Sequence, residues 1–209
     1  MLLFAVLLSA LLAYAGKEFS KPEAKAAATY PAHDSHPDEK VTVAIDPYDT
    51  DQKADIFSVD YAEHGYLPVF LVITNDSDEA VSLPTLKAQL VTGRRDKLSP
   101  ATSDDLYRRL SKPKRNDTQT IPLPIPRKNK VKGAVGAKAL EELDRAMFAA
   151  RAIEPHSTQS GFLFFDISGA SSPLAAAHFY LSGLRNAGGS ELIYFEIPLE
   201  KYLEAGRKP

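Results

Sequence analysis

The chain has 209 residues, 44% hydrophobic and 25% charged, with 25 Lys and Arg against 27 Asp and Glu for a net charge of −2. That is ordinary globular usage, and the near balance of charge singles out neither a nucleic acid nor an acidic polymer as a partner for the whole surface. Cysteine is absent, which excludes disulfides, thiolate-bound zinc, iron–sulfur clusters, a thiol nucleophile and lipidation at an N-terminal cysteine.

Residues 1–15, MLLFAVLLSALLAYA, carry no charge. As a helix at ~1.5 Å per residue they would span about 22 Å, short of the ~30 Å bilayer core. Small residues Ala13 and Ala15 precede Gly16, so the run reads as a secretory signal peptide cleaved after Ala15, although no Lys or Arg precedes it. The chain is therefore expected to be exported, to the periplasm or the outside. Residues 16–40 hold three prolines, many alanines and charges, and only Phe19 and Tyr30 as large anchors. They read as a flexible linker. A β domain is expected over 41–204, held by its core alone.

Val41, Val43 and Ile45 alternate with Thr42, Ala44 and Asp46, the period of a half-buried strand, and Phe57, Val59 and Tyr61 suggest a second. Glu63-His64-Gly65 is a turn with Gly65 free to take positive φ. Tyr66–Thr74, YLPVFLVIT, is apolar on both faces and predicts a central, covered strand with Pro68 at its start or at a bulge. Asn75–Asp78 closes it, and strands at 80–83 and 86–92 follow, the latter with Leu86, Ala88 and Leu90 on one face.

Between 103 and 152 the pattern becomes helical. Ser103 reads as an N-cap with Asp104 and Asp105 in the first turn, ahead of Leu106, Tyr107 and Leu110. A proline-rich, basic stretch separates this helix from a second at 138–152. There Leu140, Leu143, Met147 and Ala150 form one face and Glu141, Glu142 and Arg145 lie off it. Strands return at 161–167, 178–184 and 192–199, with a hairpin turn at 186–189 and Pro198 marking an edge.

Three stretches carry a resemblance. They are Tyr66–Thr74 running into Thr74-Asn75-Asp76-Ser77-Asp78, then Pro155-His156-Ser157-Thr158 ahead of Gly161-Phe162-Leu163-Phe164-Phe165-Asp166, and the closing Phe195-Glu196-Ile197-Pro198. This pattern resembles bacterial secreted immunoglobulin-like domains of unknown function over roughly 41–92 and 154–199. It implies a mainly β fold, an immunoglobulin-like antiparallel β-sandwich, here with a helical insertion, and it implies no activity.

Candidate sites are weighed on residue chemistry. His33, Asp34, His36, Asp38 and Glu39 are metal-ligand types, but Pro37 interrupts them and they fall in the linker, so they read as solvated. Asp46, Asp49, Asp51 and Asp55 lack the glycine turn and bidentate Glu of a calcium loop and read as turn chemistry. His64, His156 and His178 accompany no nucleophile elbow, zinc-protease, phosphate-loop or dinucleotide motif. No catalytic residue, cofactor or metal is assigned.

The segment 112–138 carries eight Lys and Arg against Asp117. It is either a solvated loop or, through Arg127, Lys128, Lys130 and Lys132, a contact for an anionic envelope component, protein or lipid headgroup in peripheral membrane contact. Export and the lack of interleaved aromatics exclude nucleic acid. The leading reading is a non-enzymatic exported envelope module that binds or scaffolds another component. The alternative is a secreted enzyme or enzyme inhibitor working through 103–152; an enzyme requires a concave pocket with convergent polar groups and shifted pKa values, and a module a flat or convex patch.

Overall fold

The computed structural model describes residues 19–111 and 136–206. The expected signal peptide with its cleavage after Ala15, and the basic stretch holding Arg127, Lys128, Lys130 and Lys132, lie outside the described residues.

The described chain is mainly β. Its strands are β1 (Ala32–His36), β2 (Val41–Pro47), β3 (Tyr66–Asn75), β4 (Val81–Ser82), β5 (Lys87–Val91), β6 (Lys97–Leu98), β7 (Ala152–Ile153), β8 (Ser157–Asp166), β9 (His178–Ser182) and β10 (Phe195–Pro198). The helices are α1 (Asp51–Ala54), α2 (Ser103–Leu110), α3 (Ala137–Ala146) and α4 (Glu200–Ala205). All pairings between these strands are antiparallel: one sheet runs β1-β2-β3-β8, a second runs β10-β9-β5-β6, and β4 pairs with β7.

Every residue of β3 is buried, as its unbroken apolar sequence requires of a central strand. Leu71 lies opposite Ile45 of β2 and Gly161 of β8. The side chains of Val69, Leu71 and Ile73 join Leu90, Phe179 and Phe195 of the second sheet in one core. Phe70 and Val72 face the other way, with Phe162 and Phe164 of β8. That outer face is covered by Phe57, Tyr61, Leu106, Leu110 and Leu143. The helices of the insertion thus form a third layer over the first sheet. At ~1.5–3 kcal/mol for each large apolar side chain buried, they are part of what holds the sheet. Tyr107 of α2 donates to Asp144 of α3 at 2.5 Å and ties the two helices together.

Several expectations need correction. The linker expected over 16–40 is ordered from Phe19 onward. Phe19 stacks on Phe57 at 5.4 Å, the Ala27 amide donates to Thr74 Oγ1, and Ala32–His36 pairs with β2. Small alanines allow this close approach, and a composition-based reading misses it. No strand forms at 57–61: its backbone bonds are local, from Phe57 to Ala54, Tyr61 to Val59 and His64 to Tyr61, and the alternation marks two side chains dipping inward from a loop. The second insertion helix stops at Ala146. Met147 turns extended and the Phe148 amide bonds to the Phe162 carbonyl. Gly161 permits that approach, since a Cβ there would lie 2.5 Å from Phe148 Cα. The first insertion helix is capped by Thr102, whose Oγ1 accepts from the Asp105 amide, not by Ser103. Pro68 sits third in β3, where its carbonyl accepts the Tyr48 amide at 2.9 Å.

The Thr-Asn-x-Ser-Asp run has a structural task. Asn75 is fully buried; its amide donates to the carbonyls of Glu79, Ile153 and Glu154, and its Oδ1 accepts from the Ser77 amide and hydroxyl. One side chain thereby joins the end of β3 to the small β4–β7 pair.

Candidate functional site

The connection from β2 to β3 builds one wall of a groove on the described surface. Asp46-Pro47 ends β2, and Thr50 caps the single turn of α1. Phe57 then anchors the loop inward, 5.0 Å edge-on from Phe162 and 5.1 Å from Tyr61. Asp60 Oδ1 accepts the Glu63 amide and fixes the turn at Ala62–His64. Gly65, at φ 77°, reverses the chain into β3 where an L side chain would be strained. Facing this connection are the β8–β9 loop and α4.

Between them lies a groove of about 890 Å³. Its apolar lining includes Phe57, Tyr66, Leu67, Ile167, Leu174 and Leu203. Five carboxylates, Asp49, Asp51, Asp55, Asp60 and Glu63, line it too, each exposed to solvent as a rim, and among the described residues no Lys or Arg lines it. The floor favours apolar groups.

One ammonium is held beside this groove, outside its lining. Lys53 Nζ donates to Asp46 Oδ1 at 2.5 Å, the Pro47 carbonyl at 3.1 Å and the Tyr202 hydroxyl at 3.2 Å. It sits 4.6 Å above the Tyr202 ring and 5.7 Å from that of Tyr48. Burial first, then its hydrogen bond to Asp49, pushes the Tyr202 phenol well above its ordinary range; burial and the charge of Asp46 do the same to Tyr48. Both phenols are therefore neutral donors across physiological pH, not bases.

Helix α3 supports the groove wall from behind. Glu142 is buried, and its Oε2 accepts the Ser58 amide at 2.9 Å. Among the described residues its other oxygen and the Tyr61 hydroxyl, both buried, make no well-aligned hydrogen bond, although Glu142 lies close enough to bear on the phenol. Burial, followed by the neighbouring Glu142, pushes the Tyr61 phenol far up. The sequence reading set Glu142 off the apolar face beside Glu141; the structure turns it inward, because its carboxylate serves the 58–61 loop.

A second groove, of about 780 Å³, follows the outer edge of β5. There β6 pairs only with Leu90 and Val91, leaving Lys87–Gln89 uncovered on that side, and Phe148–Ala150 form the opposite wall. Among the described residues its lining holds no carboxylate and no histidine.

The sequence-selected residues divide clearly. Arg127, Lys128, Lys130 and Lys132 lie outside the described residues. The His33–Glu39 group is no solvated linker: it fastens β1 to β10. His36 stacks on Phe195 at 4.0 Å and bonds to Glu39 at 2.9 Å, and Asp34 accepts the Glu196 amide. Of the histidines weighed for catalysis, His156 pairs with Asp78, His178 with Glu196, and His64 offers its carbonyl to Arg109. Asp49, Asp51 and Asp55, read as turn chemistry, come together on the groove, while Asp46 holds Lys53. Among the described residues no three His, Asp or Glu side chains converge as a metal-binding set. The readable signal for the groove was five acids against Lys53 within 49–63.

Comparison of the chain with protein-family models, with curated proteins and with solved structures finds no match in any of the three.

Proposed function

We propose that this chain is a non-enzymatic, exported module of immunoglobulin-like architecture that binds or scaffolds another component of a bacterial envelope. The strand order supports the architecture. With β2, β3, β5, β6, β8, β9 and β10 taken as strands A, B, C, C′, E, F and G, the sheets read A-B-E and G-F-C-C′. The helical insertion occupies the C′–E link, and β1 is an additional strand beside A.

The observation that carries the binding role is the groove between the β2–β3 connection and α4. It is concave, where a plain module calls for a flat or convex patch, but it offers an apolar floor inside a carboxylate rim, and burial holds the Tyr48 phenol in its lining neutral. That is recognition chemistry and not a paired acid and base. Cell fractionation with N-terminal sequencing tests export: a mature chain beginning at Gly16 is expected, and an intact Met1 in the cytoplasm overturns it. Binding is tested by crosslinking in the envelope with the full chain. The test is not run with 103–152 removed, because Leu106, Leu110 and Leu143 belong to the core.

The eight cations of 112–138 favour a second contact, to an anionic envelope component or lipid headgroups. Co-sedimentation with anionic vesicles should fall when Arg127, Lys128, Lys130 and Lys132 are replaced by Ser, by on the order of 4 kcal/mol at most at ~1 kcal/mol per cation. Equal retention of both proteins at low salt returns the segment to a solvated loop.

A further inference from the structure

We infer that the edge of β5 left open by β6 receives an extended segment of a partner protein as an added strand, with apolar side chains turned to the core and acidic ones to solvent. The site lies apart from the groove beside α4. The two share no lining residue, so a component held in that groove leaves the edge free.

Backbone pairing decides the kind of ligand. The Thr92 amide donates to the Asp96 carbonyl, which sets the alternation along the strand. Thr92, Leu90 and Ala88 point their amide and carbonyl groups toward β6, while Val91, Gln89 and Lys87 point theirs toward β9. β6 meets Leu90 through Leu98. One step further, the same register would set Pro100 opposite Ala88, but proline has no N–H to give. Pro100 crosses instead to Phe165 of the first sheet, and the Ala101 amide follows it onto the Phe164 carbonyl. Among the described residues the Ala88 donor and acceptor therefore face the open groove of about 780 Å³. An extended backbone supplies both partners at strand spacing. The free edge from Leu86 to Gln89 offers it about 14 Å at ~3.4 Å per residue.

Side chains decide which segment fits. Leu86 and Ala88 pack against the core, and with Phe148, Ala150 and Leu163 they line the inner side of the groove. A residue directly opposite Ala88 shares its face, so the guest residues that bond to β5 are the ones turned inward, and these are apolar. On the outer face Lys87 is exposed, and among the described residues it is the one charged side chain of the lining. It calls for a carboxylate between the apolar positions. The same charge disfavours a second copy of this chain, whose own Lys87 would arrive on the same face.

The test uses the full chain and fluorescence anisotropy with a labelled synthetic peptide alternating Val and Glu. Two relatives of it are N-methylated, one at every Val and one at every Glu. The parent peptide should bind saturably. Methylation at Val, whose amides meet β5, should weaken it at least about tenfold, and methylation at Glu, whose amides face away, should leave it unchanged. Ala88→Pro should abolish binding with an unchanged urea midpoint, because proline is tolerated where a strand's N–H faces outward. Amide exchange on the unaltered chain reads the same contact without a variant. At saturating peptide the Ala88 amide should become protected, while that of Gln89, turned toward β9, should be protected throughout. Lys87→Glu should favour a Val/Lys peptide over the Val/Glu one. Equal binding of the two methylated peptides, or an Ala88 amide whose exchange does not change at saturation, overturns the inference. So does tighter capture of a peptide of the chain's own residues 121–126, or a concentration-dependent dimer that Ala88→Pro abolishes, since either puts a different occupant on the edge.

Discussion

Replacing Leu71 by Ala tests the layered core at its centre. Leu71 is fully buried, lies between Ile45 and Gly161 in the register, and faces the second sheet. Truncation removes three carbons, about 2.4 kcal/mol at ~0.8 per buried methylene. Rigid neighbours on two flanking strands limit collapse, so a cavity cost is added, giving on the order of 3–4 kcal/mol within the ~2.7–5 seen for buried leucines. The chain has no Cys, and hence no disulfide to retain the fold, and a domain's total stability is typically ~5–15 kcal/mol. Urea titration followed by far-UV circular dichroism measures the loss. The midpoint should fall with an unchanged slope. Phe70→Ala, on the opposite face against Tyr48 and Phe162, should cost a similar or larger amount, ~3–5 kcal/mol, only if the outer layer covers it. A loss below about 1 kcal/mol for Leu71→Ala would mean that the two sheets do not face each other as described. The same result for Phe70→Ala would remove the third layer.

Asn75→Ala leaves the Ser77 amide and the carbonyls of Glu79, Ile153 and Glu154 without this partner, that of Ile153 in a buried bond, and should lower stability by on the order of 2 kcal/mol in the same titration. Gly183, at φ 85°, would place a Cβ 2.1 Å from the Thr85 carbonyl oxygen, so Gly183→Ala should cost more than ~1 kcal/mol and lower the melting temperature in calorimetry by at least a few degrees. For Asp166, partial burial acts to raise the carboxyl, but hydrogen bonds from Ser168 and Arg109 outweigh it and hold it below the ordinary value. A depressed native pKa stabilises above the unfolded value near ~3.9 and is lost as pH falls through the native one. The stability difference between wild type and Asp166→Asn should therefore be constant from pH 5 to 7 and shrink below about pH 4; a difference that grows on acidification would reverse the sign assigned to this group.

How much was readable depended on how local each signal was. β3 and the apolar part of β8 from Gly161 on declare themselves as unbroken apolar runs, whereas the polar Ser157–Ser160 part of β8 gives no such signal, and α2 is legible because its acidic first turn and spaced leucines agree. The segment 57–61 misled because alternation records which side chains are buried, not whether the backbone pairs. Ala32–His36 was taken as linker because its partners, Thr42 on β2 and Phe195 on β10, are remote or unpredictable contacts for a polar run. The acids of the groove were visible as an uneven charge count, whereas its floor is assembled from Tyr66, Ile167, Leu174 and Leu203, which no sequence window holds together. Glu142 gave no signal, since helical periodicity cannot tell which of two adjacent glutamates meets a loop amide.

Amide chemical-shift mapping on the isotope-labelled full chain, titrated with the envelope component recovered by crosslinking, places the binding surface residue by residue. Saturable shifts confined to 48–67, 167–175 and 203 are expected, with the β5-edge residues Leu83–Gln89 unmoved. Shifts centred on that second groove, or none that saturate, would show that the acidic groove is not where this protein meets its partner.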